Sequence, residues 1–368
     1  MNLNETIASN VKYYRKQANL SQKELAEKCG FSKSLLEKLE TGNTPFSRDH
    51  VNAVAFALSL PTAIFFQPFL TPERGYFRAN RKMKDGVLIL NRAARWVRDY
   101  YFLEQLLHQE KPFALTSLKI KDYSDDGISR FAGEIRTKLG LNDLEPIQNL
   151  CDLVEDSGIY LLLMDSPTDG FFGFSLLGPE DIPAIVVNTS EKITLERQIF
   201  SLAHELGHIM LHLSVFGPCH GIQGADDPEA NEREREANLF AGAFLLPEKG
   251  FIQEWQRSLG LNFYERVIYV KKKFKVSYSA VLTRLVQLQI ADNSVFPKFK
   301  KLYSQRTGQI LKNNQEPEPL YDDTFIATRF RNLVFDALNR EEITISRAAE
   351  MLQISVDDVL RISREDAE

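Results

Sequence analysis

Apolar residues recur at helical spacing through the first seventy positions. Ile7, Val11 and Tyr14 come first, followed by Leu25, Ala26, Leu35, Leu36 and Leu39. Positions three and four apart share one helix face, so this stretch predicts short amphipathic helices and no strands. Ser21 precedes one such run with Glu24 three residues later, the spacing of a capping box. Gly30 stands where a helix end can take a left-handed residue, and the next run starts at Ser32. Two short helices around a tight glycine turn predict a helix-turn-helix. Pro61, Pro68 and Pro72 punctuate its end, and 69–85 reads as a linker. Residues 86–108 predict one amphipathic helix, and 124–157 predict two, broken at Gly140–Pro146.

The pattern then changes. Residues 158–165, 171–177 and 184–188 are short apolar, β-rich runs separated by Pro, Gly and Asp, hence three strands. A long helix follows from about Glu191 to Leu213, then a polar loop, then a helix from Pro228 to Leu245 stopped by Pro247. From Phe251 the chain reads as helical, except for a polar stretch at 305–320 that reads as a linker. Residues 343–362 resemble a second helix-turn-helix. The fold class is therefore α+β and mostly helical. It comprises an all-α head (1–70), a linker and connecting helix (71–123), a core with a small sheet (124–292) and a helical C-terminal extension (293–368).

Composition narrows the class. Of 368 residues 43% are hydrophobic and 26% charged, enough apolar surface to exclude a disordered chain. No run approaches the roughly 20 apolar residues of a membrane span, and the N-terminus lacks a secretory pattern. Cys29, Cys151 and Cys219 are odd in number and without CxxC spacing, which points to a reducing cytoplasm rather than a disulfide framework. The net charge of −5 hides an asymmetry, because residues 1–100 carry 16 Lys and Arg against 9 Asp and Glu. A basic end on an acidic protein suggests a polyanion partner there. The Arg-rich helix 92–101, with Trp96 and two tyrosines, either tracks nucleic acid or packs its aromatic face on a neighbour. The acidic stretch 226–236 either draws cations or forms a mobile loop beside a cleft.

The chemistry concentrates in His204-Glu205-Leu206-Gly207-His208, an HExxH arrangement. On a helix His204 and His208 share a face and can present ring nitrogens to one zinc ion. Glu205, one step round, faces the ion's water as a general base. A catalytic zinc needs a third protein ligand. The position ten residues after His204 is Ser214, so a third histidine of that type is absent. His212 lies roughly 12 Å along the axis from His204 and reads as a packing or helix-end residue. Glu234 on the next helix is the better ligand, with Glu236 the alternative. Asn238 shares Glu234's face and would orient His204 or the metal shell. Ala237 and Ala241 are small enough for close helix packing. Glu236, off that face, is expected to point to solvent with Arg233 and Arg235.

With these residues in view, the chain resembles the ImmA/IrrE family of metallopeptidases fused to an XRE-type helix-turn-helix. The resemblance is carried by residues 195–212 and 234–247 for the peptidase and 20–43 for the head, with Tyr76-Phe77-Arg78 as connector. It implies a zincin-like (gluzincin) peptidase core with His204, His208 and Glu234 as zinc ligands and Glu205 as base. It also implies hydrolysis of a DNA-binding partner, typically a repressor of a mobile element or stress response. Some members of this layout look instead like antitoxins or transcription regulators that keep the fold for sensing or for binding a cognate toxin. The strand before the active helix, 184–188, would be either the edge that pairs with extended substrate or an ordinary sheet strand. Arg197, Tyr278 and His220 are open candidates for the oxyanion partner. At the head, the resemblance places the second helix of the pair in the major groove, so Ser32, Lys33, Ser34 and Lys38 face DNA, with Gln22 and Lys23 near phosphate or an adenine edge. Such heads read two half-sites as homodimers. The alternative is a helical unit kept for protein contacts.

Overall fold

The structure is a computed structural model that describes residues 3–18, 20–58, 60, 62–66, 74–76, 86–166, 171–216, 228–312, 315–321 and 324–365. Cys219, His220, Phe77, Arg78 and most of the expected 69–85 linker lie outside these residues. The chain divides into two compact units, one of Met1–Thr71 with Val87–Asn91 and one of the remainder.

The head carries α1 (Leu3–Gln17), α2 (Gln22–Cys29), α3 (Lys33–Glu40) and α4 (Arg48–Leu58), followed by a 3-10 turn at Thr62–Phe65. The capping box at the start of α2 forms as its sequence dictates: Glu24 N–H donates to Ser21 Oγ, and Ser21 N–H to Glu24 Oε2. Gly30 closes α2 at φ 71°, a left-handed backbone that costs glycine nothing. Ile7, Val11, Leu25, Leu36, Val54 and Phe65 fill a closed core. Across it a buried bidentate pair joins Arg15 to Glu40, at 2.6 and 2.9 Å.

The second unit holds a four-stranded sheet: β1 (Arg74–Tyr76), β2 (Tyr160–Met164), β3 (Gly173–Leu177) and β4 (Pro183–Asn188). The strand order is β1-β3-β4-β2, with β2 and β4 parallel and the other pairs antiparallel. β1 falls inside the expected linker. β4, expected as a possible substrate-pairing edge, is internal. Both of its ladders are filled by β2 and β3, so no backbone groups remain for an added strand.

Helices cover this sheet. α5 (Gly86–Leu107) buries Trp96 and Tyr100, and the Tyr100 ring stacks on Tyr160 with centroids 4.0 Å apart. The aromatic face of this Arg-rich helix is therefore a packing face. α6 (Asp125–Lys138) and α7 (Leu150–Asp156) precede β2, and α8 (Leu195–His212) and α9 (Pro228–Leu245) follow β4. The acidic stretch is thus helical from Pro228 onward. Next come α10 (Glu248–Arg257), α11 (Phe263–Phe274), α12 (Tyr278–Gln287) and α13 (Val295–Thr307).

The polar stretch expected as a linker is anchored instead. Lys271, fully buried on α11, pairs with Glu196 of α8 and donates to the Glu318 carbonyl at 3.0 Å. Leu320 N–H also binds Glu196, at 2.9 Å, and Tyr278 N–H donates to Glu316 at 3.2 Å. A buried ammonium needs a counter-charge, and this strap closes over the pair that supplies it. The chain ends in α14 (Arg329–Asn339), α15 (Ile345–Leu352) and α16 (Val356–Glu365). Thr344 and Ser355 cap the last two helices around a left-handed Gln353, the same turn geometry that joins α2 to α3. Among the described residues no helix is long and apolar enough to cross a membrane.

Candidate metal centre

α8 divides its surface. Leu202, Ala203, Leu206 and Ile209 enter the main core, while Arg197, Ser201, His204 and His208, spaced four, three and four apart, share the opposite stripe. α9 lies against that stripe at close range. A Cβ on Gly207 would stand 3.0 Å from the Phe240 ring, and Ala237 and Ala241 are fully buried. Small residues on both helices let the backbones approach, which brings Glu234 across to the two histidines.

His204, His208 and Glu234 can each offer one ligand atom within 4.8 Å of the others. His204 Nε2 and His208 Nε2 are 3.0 Å apart, and the Glu234 carboxylate oxygens are 3.5 and 3.4 Å from them. Zinc at about 2.0–2.1 Å from tetrahedral ligands sets those ligands about 3.3 Å apart, so the three groups fit such an ion. Burial pushes the His208 ring down to about 3, keeping it neutral, as a metal ligand must be. Glu234 lies well below the usual carboxylate range. Burial opposes its ionisation, but the two imidazoles beside it outweigh that cost.

The outer nitrogens of the two rings are also held. His204 Nδ1 is 3.1 Å from Asn238 Oδ1, an acceptor, so Nδ1 carries the proton and Nε2 keeps its lone pair for an ion. His208 Nδ1 meets His212 Nδ1 at 3.0 Å, and His212 Nε2 meets Glu236 Oε2 at 2.8 Å. The carboxylate accepts from His212 Nε2–H, which leaves His212 Nδ1 as acceptor for His208 Nδ1–H. His208 Nε2 is then free to face the cluster. Glu236 fixes the tautomer of His208 through an intervening imidazole. This corrects the expectation that Glu236 points to solvent. α9 is packed on α8 and also on α6, so a second of its faces is covered and Glu236 is buried. Arg233 is likewise mostly enclosed, its side chain 17% exposed, whereas Arg235 is exposed at 46% and pairs with Asp125 and Glu232.

Glu205 lies on the sheet side of the same cluster. Ser175 on β3 donates its hydroxyl to Glu205 Oε2 at 2.6 Å. A Cβ on Gly173 would come within 3.1 Å of Glu205 Cγ and 3.0 Å of the Val186 carbonyl, so glycine gives the carboxylate its room. Burial pushes the Glu205 carboxyl up to about 7, against the lowering effects of His204 and the Ser175 hydroxyl. Glu205, the two histidines, Glu234 and Asn238 line one cavity of about 230 Å³. Of the oxyanion candidates, Arg197 lines that cavity, while Tyr278 is buried and stacked on Phe299 at 4.9 Å. Ser175 was not among the expected site residues; the sequence reads His212 as a packing or helix-end residue, and Glu236 as the alternative ligand rather than an outer partner. The recurrence of His208 and His212 four apart was the one sequence signal that could have found any of them.

At the head, Ser32, Lys33, Ser34 and Lys38 are exposed along α3, and Lys23 is exposed on α2. Ser32 Oγ also caps α3 by accepting from Leu35 N–H at 3.1 Å. The Gln22 amide is committed inward, donating to Glu40 Oε2 at 2.8 Å.

Residues 154–286 match the IrrE N-terminal-like domain, and residues 8–63 match a helix-turn-helix domain. No curated protein matches the chain significantly. Among solved structures, a Mycobacterium tuberculosis transcriptional regulator is 21% identical with a TM-score of 0.28. That match covers 51% of this chain, which spans about half of the regulator (50%). Bacillus thuringiensis PlcR, in complex with the peptide PapR7 and DNA, is 14% identical with a TM-score of 0.18, covering 99% of this chain and 97% of that one.

Proposed function

Because the chain joins a helix-turn-helix domain to an IrrE N-terminal-like domain, we propose that it is a DNA-binding regulator whose central domain is a zinc-dependent, site-specific peptidase. Its substrate in this reading is a partner protein, a repressor or regulator of a mobile element or stress response, cut at one peptide bond. His204, His208 and Glu234 hold the ion. Zinc supplies Lewis-acid polarisation of the scissile carbonyl and acidifies water toward a pKa of about 7.

The observation that carries the reading is Glu205. A purely structural ion has no use for a buried carboxylate beside its ligands, yet here one is held by the Ser175 hydroxyl at 2.6 Å and lines the same cavity. With its carboxyl pushed up to about 7, Glu205 can take a proton from the attacking water and later deliver it to the leaving amine. Asn238 and the Glu236–His212 relay keep both imidazoles in the metal-binding tautomer. Through Lys23, Ser32, Lys33, Ser34 and Lys38 the head contacts an operator, and a homodimer engages its two half-sites.

The test is intact-mass spectrometry of the adjacent gene's protein product after incubation with zinc and either wild type or Glu205→Gln. A discrete cut by wild type alone is expected. No cut by either protein, with the two partners co-eluting as a complex, would instead favour a non-catalytic regulator or antitoxin.

A further inference from the structure

Beside the metal cluster a larger cavity of about 660 Å³ runs between α8, α9 and α12. It shares Phe172, Arg197, Phe200 and Asn238 with the cluster's own cavity, so the two adjoin. One wall is polar: Ser279, Thr283 and Gln287 recur four apart along α12. The facing wall is α9, where Gly242 lies in the interior of an 18-residue helix. Glycine inside a helix is destabilising relative to alanine. A Cβ at Gly242 would meet nothing within 4 Å, so no packing contact demands the glycine. Its effect is to leave the cavity open.

The charged groups of the lining are committed with one exception. Glu196 pairs with Lys271, Asp125 with Arg235, and Glu316 accepts from Tyr278 N–H. Arg284 donates to the Leu246 carbonyl and Lys192 is engaged as well. The Arg197 guanidinium lies over the Phe172 ring at 4.1 Å; it feels the charge of Glu234, but among the described residues it has no hydrogen bond and no carboxylate within 4.0 Å. An aromatic face under a guanidinium fixes its plane and leaves the edge N–H groups directed outward, the geometry that grips a carboxylate. Arg197 sits about 10 Å from His204 along α8, and helical side chains lean toward the N-terminus. That offset equals about three residues of extended peptide.

We propose that this cavity is a subsite for an acidic side chain of an extended peptide, with Arg197 recognising the carboxylate about three residues from the metal cluster. The occupant rests on the peptidase reading, whereas the anionic preference rests on Arg197 alone. The test uses full-length Glu205→Gln protein treated with chelator, so that no ion competes for the carboxylate. Saturation-transfer NMR titrations compare N-acetyl-Ala-Ala-Glu-Ala-amide with its Gln counterpart. The Glu peptide is expected to bind about tenfold more tightly, as a charge-assisted bond allows. Arg197→Met erases the difference, Arg197→Lys restores part of it, and Gly242→Leu weakens both peptides. Equal affinities in the unsubstituted cavity, or a preference that survives Arg197→Met, would overturn the assignment. A protein that prefers the Glu peptide but leaves the adjacent gene's product uncut keeps the subsite and loses the peptidase reading. One that cuts its partner yet shows no preference loses the subsite alone.

Discussion

Glu236 acts at one remove on a group it does not touch. Its carboxylate accepts from His212 Nε2 at 2.8 Å, and His212 in turn takes the Nδ1 proton of His208 at 3.0 Å. Replacing Glu236 with Gln introduces an N–H that can donate to His212 Nε2, which would reverse both protons and place a hydrogen on the His208 nitrogen facing the cluster. Zinc affinity is expected to fall about 10–100-fold in Glu236→Gln, measured by competition with a coloured chelator. Unchanged affinity would remove Glu236 from the centre. Helical arithmetic was enough to group His204, His208, Glu234 and Asn238, because residues four apart on two helices must share faces. The same arithmetic misplaced Glu236, since it describes one face at a time and α6 supplies a second cover. Ser175 lies 30 residues from Glu205 on a strand, and no local pattern links the two.

At the scale of elements, the strap over α8 and α11 ties folding to pH. Burial raises Glu316 from 4.5 to about 7, although the Tyr278 N–H and Lys271 favour its charged form. Between those values the folded chain holds a proton that the unfolded chain has released. The contribution is therefore complete below about 4.5 and is lost as pH rises through about 7. Glu316→Gln keeps an acceptor for the Tyr278 N–H and has no proton to lose. Its thermal midpoint should vary less than wild type across this window and lie higher at pH 8. Parallel midpoint curves for the two proteins would contradict this. Element types and most boundaries were legible in the chain: α9 spans Pro228–Leu245 as its apolar run predicts, and the three predicted strands appear at 160–164, 173–177 and 183–188. The central place of β4 was not legible, because strand order depends on pairings between distant segments, including a short β1 inside a proline-bounded linker. The strap was missed for a related reason: its glutamates read as solvated until Lys271 and Glu196 are brought beneath them.

At the scale of the whole molecule, the head is a compact unit of its own. Lys33 and Lys38 stand exposed on α3 in a head that closes its own apolar core, within a chain of net charge −5. Binding to the chain's own upstream DNA should fall steeply in Lys33→Glu/Lys38→Glu, read as loss of an electrophoretic shift at low salt, because phosphate contact dominates affinity. A shift unaffected by the double substitution would assign the head to protein contacts instead. The C-terminal segment is held without help from the backbone that leads into it. Lys271 and Glu196 grip the strap, Arg329 pairs with Glu104, Arg347 with Asp99, and Phe330 lies against Trp96 and Tyr100. Covalent continuity just after α13, where Ile310 is 84% exposed, is therefore dispensable to the assembled particle. A chain nicked there would still travel through a sizing column as one body and come apart into two fragments only in denaturant.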